Sequence, residues 1–210
     1  MRVEPTGVDI RSAFGVVRDQ GRRPTCLAFA ASAAHEHARS SNDSLSVEAL
    51  FQNSKRRDGL AVNVGTTMSA SMIALEDAGQ CDETAWPYGS AVAIDASAIY
   101  HRARPDMRRK DDLVATVRST LANNRGALLV LTMTDAWYTV AKNGIIRPPA
   151  SNDVLLGSHA VVVAGYDDGD GRFIIRNSWG RGWGDDGYGL VPYGYVDRYG
   201  LEVATLSTVA

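Results

Sequence analysis

Cys26 stands directly after Pro24-Thr25, at the head of an alanine-rich segment that runs to Ser40. A cysteine attacks as thiolate, and the first turn of a helix favours that anion through its aligned peptide dipoles. The thiolate needs a base. His35 and His37 lie further along the same segment and His101 sits in an arginine-rich stretch, so none of them needs a chemical role. His159 opens the apolar run Ala160-Val161-Val162-Val163-Ala164, where an unpartnered imidazole is costly. If Tyr166 faces Arg172 across the turn Asp167–Gly171, His159 lies opposite residue 179 and Asn177 sits one diagonal away on the same face. The Asn177 amide oxygen would then fix one imidazole tautomer and leave the other ring nitrogen for the thiol. Trp179 would cover that hydrogen bond and keep water out.

The elements that must position these groups follow from composition and spacing. A helix is expected over 24–40, capped by Thr25 and started by Pro24. Further helices are expected over Ser46–Lys55, after the cap-like cluster Asn42-Asp43-Ser44, over Thr67–Ala78 ending at Gly79, and over Asp111–Asn123. From Ala127 the character changes. Ala127–Thr134, Ser158–Tyr166, Arg172–Asn177 and Gly187–Pro192 are short runs rich in Val, Ile, Leu and Tyr, and read as strands. The chain is therefore expected to be α+β, with a seam between residues 100 and 115.

The 210 residues carry 45% hydrophobic and 22% charged side chains, a composition that excludes disorder and fibrous repeats. The net charge of −2 gives no basic field for nucleic acid. No apolar run reaches the roughly 20 residues of a membrane span, and the first residues do not read as a signal peptide. Two cysteines make no disulfide framework, so a reducing, cytoplasmic location is expected.

Three blocks, in order, resemble the papain-like cysteine peptidases: Gln20-Gly21-Arg22-Arg23-Pro24-Thr25-Cys26-Leu27-Ala28-Phe29, Ser158-His159-Ala160-Val161 with Gly165-Tyr166, and Asn177-Ser178-Trp179-Gly180 with Trp183-Gly184 and Gly187-Tyr188-Gly189. His159 follows Cys26 by 133 residues and Asn177 follows it by 151, against roughly 130–150 in that family. Weaker echoes are Leu45–Leu50, Asn63-Val64-Gly65 and Ala85-Trp86-Pro87-Tyr88. The resemblance implies one peptidase domain of two lobes, helical over about 15–110 and β-barrel-like over about 111–205, with the site between them. It implies Cys26 as nucleophile, His159 as base and then acid, Asn177 as its orienting partner, and Gln20 with the Cys26 N–H as oxyanion donors. It also implies that Gly65, Ser158 and Trp179 touch substrate.

The departures from the pattern are Leu27 after the nucleophile, Pro24-Thr25 before it, and Arg23 and Val62 where disulfide cysteines are expected. A compact form without disulfides or an inhibitory pro-segment is expected, restrained by narrow specificity or a regulatory protein partner. Arg22 and Arg23 lie between Gln20 and Cys26 and are expected to favour carboxylates beside the scissile bond. Two other classes share the triad: an acyltransferase, and an inactive peptide-binding module. No cofactor or metal is expected, since Asp167-Asp168-Gly169-Asp170-Gly171 reads as a hairpin turn and not as a calcium loop. Cys81 is expected to be structural, Met68 and Met72 to be core, and the basic cluster 102–110 to be a solvated loop.

Overall fold

A computed structural model of the chain describes residues 5–41, 43–61, 63–109 and 112–209. In chain order the elements are β1 (Gly7–Asp9), α1 (Cys26–Ala38), α2 (Val47–Asp58), α3 (Met68–Asp77), β2 (Ala103–Arg109) and α4 (Leu113–Ala122). They continue with β3 (Ala127–Thr134), β4 (Leu155–Asp167), β5 (Arg172–Arg176), β6 (Tyr188–Pro192), α5 (Tyr193–Tyr199) and β7 (Gly200–Thr208). The seven strands form one antiparallel sheet in the order β2-β7-β3-β4-β5-β6, with β1 beside β4. The fold is the expected α+β arrangement, but the sheet stays open: β2 and β6 stand at its two ends, so it is no closed barrel.

The period-two alternation of the strands builds two cores. Leu129, Leu131 and Met133 of β3, with Val161 and Val163 of β4, face the α4–α5 side. Leu128 of β3, with Ala160 and Val162 of β4, face α1. A strand buried on both faces reads as an unbroken apolar run, which is what residues 160–164 show. α1 is buried from Leu27 through Glu36, and its alanines let it lie close against the sheet. Among the described residues no helix is long and apolar enough to cross a membrane.

Three expectations need correction. The basic cluster is not a loop: Ala103–Arg109 pairs along its whole length with β7, Ala103 facing Thr208 and Arg109 facing Glu202. Ala103 is buried and Met107 packs on the α1 core, while Arg104 and Arg108 are exposed, so a period-two pattern was hidden by its arginines. The sheet therefore takes strands from both sides of the seam at residue 110, and β7 runs past residue 205. α2 begins later than expected, capped by Ser46, whose Oγ accepts from the Ala49 N–H at 3.0 Å. Asn42 and Val62 lie outside the described residues. Gly79 ends α3 as expected, at φ 74°, and a Cβ there would lie 2.2 Å from the His101 carbonyl oxygen, so only glycine fits.

Candidate active site

Cys26 is the first residue of α1, at the cleft between the helical layer and the sheet. Thr25 occupies the cap position but does not cap. Its hydroxyl is drawn to the Tyr88 hydroxyl at 2.7 Å. The expectation of a Thr25 cap is thus overturned, and the first-turn N–H groups of α1 have no side-chain oxygen over them. Ala160, one residue beyond His159, lines the same cleft as Cys26.

His159 Nε2 and Asn177 Oδ1 are 2.8 Å apart. The Ser178 N–H also donates to Asn177 Oδ1, at 2.8 Å. A backbone N–H identifies that atom as the oxygen, so Nε2 carries the imidazole proton and Nδ1 keeps a lone pair. The strand register explains the meeting. Asp167 faces Arg172 and Tyr166 faces Phe173, one residue off the expected pairing, but an irregularity at Ala164 moves Val163 opposite Ile175 and Val162 opposite Arg176. From there on the register is the expected one, which puts His159 and Asn177 diagonal to each other.

Aromatic rings enclose the imidazole. Trp179 lies 5.0 Å from it, tilted by 38°, and Trp137 meets it edge-on at 5.6 Å. Trp179 stacks in turn on Tyr138 at 5.5 Å. Trp137 is fixed by Tyr195, whose hydroxyl accepts from Trp137 Nε1 at 2.9 Å and from the Thr134 N–H at 3.0 Å. The sequence carried no sign of Trp137 or Tyr195 in these positions, since both lie outside any repeating pattern.

Gln20 is buried and held three ways. Its N–H donates to the Ser178 carbonyl at 2.9 Å, its Oε1 accepts from the Ser178 hydroxyl at 2.7 Å, and its Nε2 donates to the Arg23 carbonyl at 2.9 Å. One Nε2 hydrogen remains beyond these bonds. Tyr88 supports the same loop by donating to the Gln20 carbonyl at 2.8 Å.

Burial pushes the Cys26 thiol above its ordinary value, and the backbone N–H groups of Ala160, Leu27 and Cys26 itself only partly offset this. Burial also lowers His159 to about 4, against the Asn177 hydrogen bond that supports the charged ring. Each group resists a lone charge.

The cleft has a volume of about 660 Å³ and is lined by Cys26 and His159 together with Gly65, Ser158, Met68 and Val130. The Gly65 carbonyl already accepts from Lys55 Nζ at 3.2 Å. Arg22 is exposed. Arg23 does not point at a substrate: it makes paired hydrogen bonds to Glu48 at 2.5 and 2.9 Å and lies 4.7 Å from the Tyr88 ring. The expectation that both arginines flank the scissile bond is corrected for Arg23, whose charge is taken up by a buried carboxylate. Cys26 and Cys81 are both unpaired thiols. In the turn after β4, Asp167 Oδ1 accepts from the Gly169 N–H at 2.8 Å and Asp168 pairs with Arg118 and Tyr193, so those carboxylates serve the hairpin.

The family profile described as Papain family cysteine protease matches residues 4–209. An uncharacterised peptidase C1-like protein of Acanthamoeba polyphaga mimivirus is 27% identical over 71% of this chain and 51% of its own length. A cysteine protease of Blomia tropicalis is 26% identical over 85% of this chain and 58% of its own. The chain thus spans about half the length of these curated relatives. Among solved structures, xylellain, a cysteine protease from Xylella fastidiosa, superposes with a TM-score of 0.83 at 26% identity, covering 99% of this chain and 88% of that one. A Carica candamarcensis cysteine protease in complex with E-64 superposes with a TM-score of 0.76 at 20% identity, covering 98% and 100%. With a family match over nearly its whole length and the family's three blocks gathered at one cleft, the chain belongs to the papain family of cysteine proteases.

Proposed function

We propose that the chain hydrolyses peptide bonds through a covalent thioester on Cys26. The observation that carries this reading is that Cys26 and His159 line one cleft while His159 Nε2 meets Asn177 Oδ1, which leaves Nδ1 for the thiol. The Cys26 proton passes to Nδ1 as the sulfur attacks the substrate carbonyl. The oxyanion is received by the Cys26 N–H and the remaining Gln20 Nε2 hydrogen. The tetrahedral species collapses, the C–N bond breaks, and His159 gives its proton to the departing amine. Water then enters, loses a proton to His159 and attacks the thioester, which releases the acid and returns the proton to sulfur.

The exposed face of the cleft at Gly65 and Ser158 takes the substrate backbone in this reading, and Trp179 borders the leaving side. Narrow specificity or a regulatory protein partner restrains the activity, and two free thiols suit a cytoplasmic setting. Intact mass after a thiol-directed epoxide tests the assignment: one adduct on the wild type and none on Cys26→Ala is the expected result. Peptide products that gain water, with no acceptor amine attached, establish hydrolysis. An adduct that persists in Cys26→Ala overturns the reading.

A further inference from the structure

Arg176 and Asn177 are consecutive residues at the end of β5, 5% and 3% exposed. Arg176 uses one terminal nitrogen, Nη2, to donate to the Val16 carbonyl at 2.7 Å. Its other terminal nitrogen, Nη1, is buried with no partner, and so is Asn177 Nδ2. Both residues line one small void behind His159 and Asn177, bordered also by Ala30 and Ala33 of α1, by Ser178 and by Arg18. Its free room is about 10 Å³. That is the room one water molecule needs, provided polar partners face it. Two buried donors at one void require an acceptor there.

We propose that this void holds one ordered water, which accepts from Arg176 Nη1 and Asn177 Nδ2 and makes Arg176 a positioning residue for the His159–Asn177 pair. The inference rests on the proposed use of His159 as base. The oxygen end of the Asn177 carboxamide is held by His159 Nε2 and the Ser178 N–H. The water holds its amino end. Rotated by half a turn, the amide would set its NH₂ against two other donors, so clamping both ends keeps Oδ1 toward the ring. Small side chains at positions 30 and 33 leave the space open.

The charged and titratable groups around the two sites are few. The Arg176 guanidinium lies within electrostatic reach of Glu36 of α1 and Arg18 and also interacts with the Tyr188 hydroxyl of β6, while Nη1 stays unpartnered. Glu36 is itself engaged by Arg18 at 2.7 Å and by the Leu45 N–H at 2.8 Å. His159 meets Asn177, with Cys26 and Glu202 lining the same cleft.

The test uses two variants that leave the charge of the site unchanged. Arg176→Lys removes the planar second donor, and Ala33→Val fills the void while leaving Arg176 in place. Loss of support for the charged ring should move the acid limb of the kcat/KM profile, which His159 sets, down by about half a pH unit, and leave the alkaline limb where it is. The same variants should lower kcat about fivefold, with little change in KM. Carboxymethylation of Cys26 across pH follows the same ionisation without any peptide. A chain that alkylates with this profile but cleaves nothing would sink the hydrolase reading and spare this one. Variants that melt earlier with both limbs unmoved would show a merely structural Arg176 and overturn the proposal. So would activity that tracks chloride concentration, or a crystal structure of the wild type at solvent-revealing resolution with the void dry.

Discussion

Gln20 and Cys26 on the helical side of the cleft are held by polar ties, whereas His159 on the sheet side is held by a box of rings. The loop from Gln20 to Thr25 hangs on Tyr88, on the Arg23–Glu48 pair and on Ser178. The imidazole sits between Trp179 and Trp137, and Trp137 is locked in turn by Tyr195 and stacks on Trp183. Hydrogen bonds are directional and aim an N–H at a point, which suits the oxyanion role proposed for Gln20 and the Cys26 N–H. Aromatic packing buries large area and is indifferent to small rotations, which suits a ring that needs dryness and a fixed plane. The comparison teaches that damage to the polar side should appear mainly in rate, and damage to the aromatic side in both stability and rate.

The harshest test removes a reacting atom from each side. Cys26→Ala should abolish peptide turnover and His159→Ala should come close, while Asn177→Ala should cost less, because the rings still hold the imidazole; steady-state kinetics on one peptide would rank them, and residual turnover in Cys26→Ala would refute the assignment. Next is Trp137→Ala, which empties a buried indole beside His159 and should cost about 3–5 kcal/mol in urea unfolding together with a loss of rate. Gln20→Ala on the polar side should lower kcat by about 10²–10³ and cost about 1–3 kcal/mol in unfolding, less than Trp137→Ala. If both variants lose stability equally, the contrast between the two sides fails.

Acid sharpens the comparison further, because one buried histidine lies on each side. Burial lowers both His35 of α1 and His159 of β4 from their ordinary value to about 4. The folded state therefore refuses a proton that the unfolded chain accepts below about 6.5. Stability is full above pH 6.5 and falls as the pH drops toward 4, by on the order of 3 kcal/mol for each histidine. Urea midpoints at several pH values should show the slope, and His35→Gln should flatten it. The smallest effect is expected from Tyr88→Phe, which removes the hydroxyl from the Gln20 carbonyl and from Thr25. Loss of these hydrogen bonds, each worth about 1 kcal/mol net, predicts a modestly earlier melt together with a several-fold fall in kcat.

The helices over the first half and four of the strands were legible because each carries a local signal: alanine-rich helical residues, a cap, a β-branched run, a glycine stop. β2 was not, since Arg104, Asp106 and Arg108 mask the alternation of Ala103 and Met107, and only the partner strand β7 makes the segment a strand. The pairing of His159 with Asn177 followed from parity across the hairpin. The irregularity at Ala164 that restores the register could not be read, because it depends on what packs on the sheet from either side.

The identity and order of Cys26, His159, Asn177 and Gln20 were set by the sequence alone, since reactive chemistry belongs to side-chain type and the family blocks are contiguous. Where the neighbouring side chains point was decided only in three dimensions. Arg23 lies next to the nucleophile loop, yet its charge goes to Glu48, 25 residues away. Thr25 stands at a cap position, yet its hydroxyl goes to Tyr88, 63 residues away. The protonation preferences of Cys26 and His159 follow the burial each experiences, and burial is created by chain segments that meet only on folding.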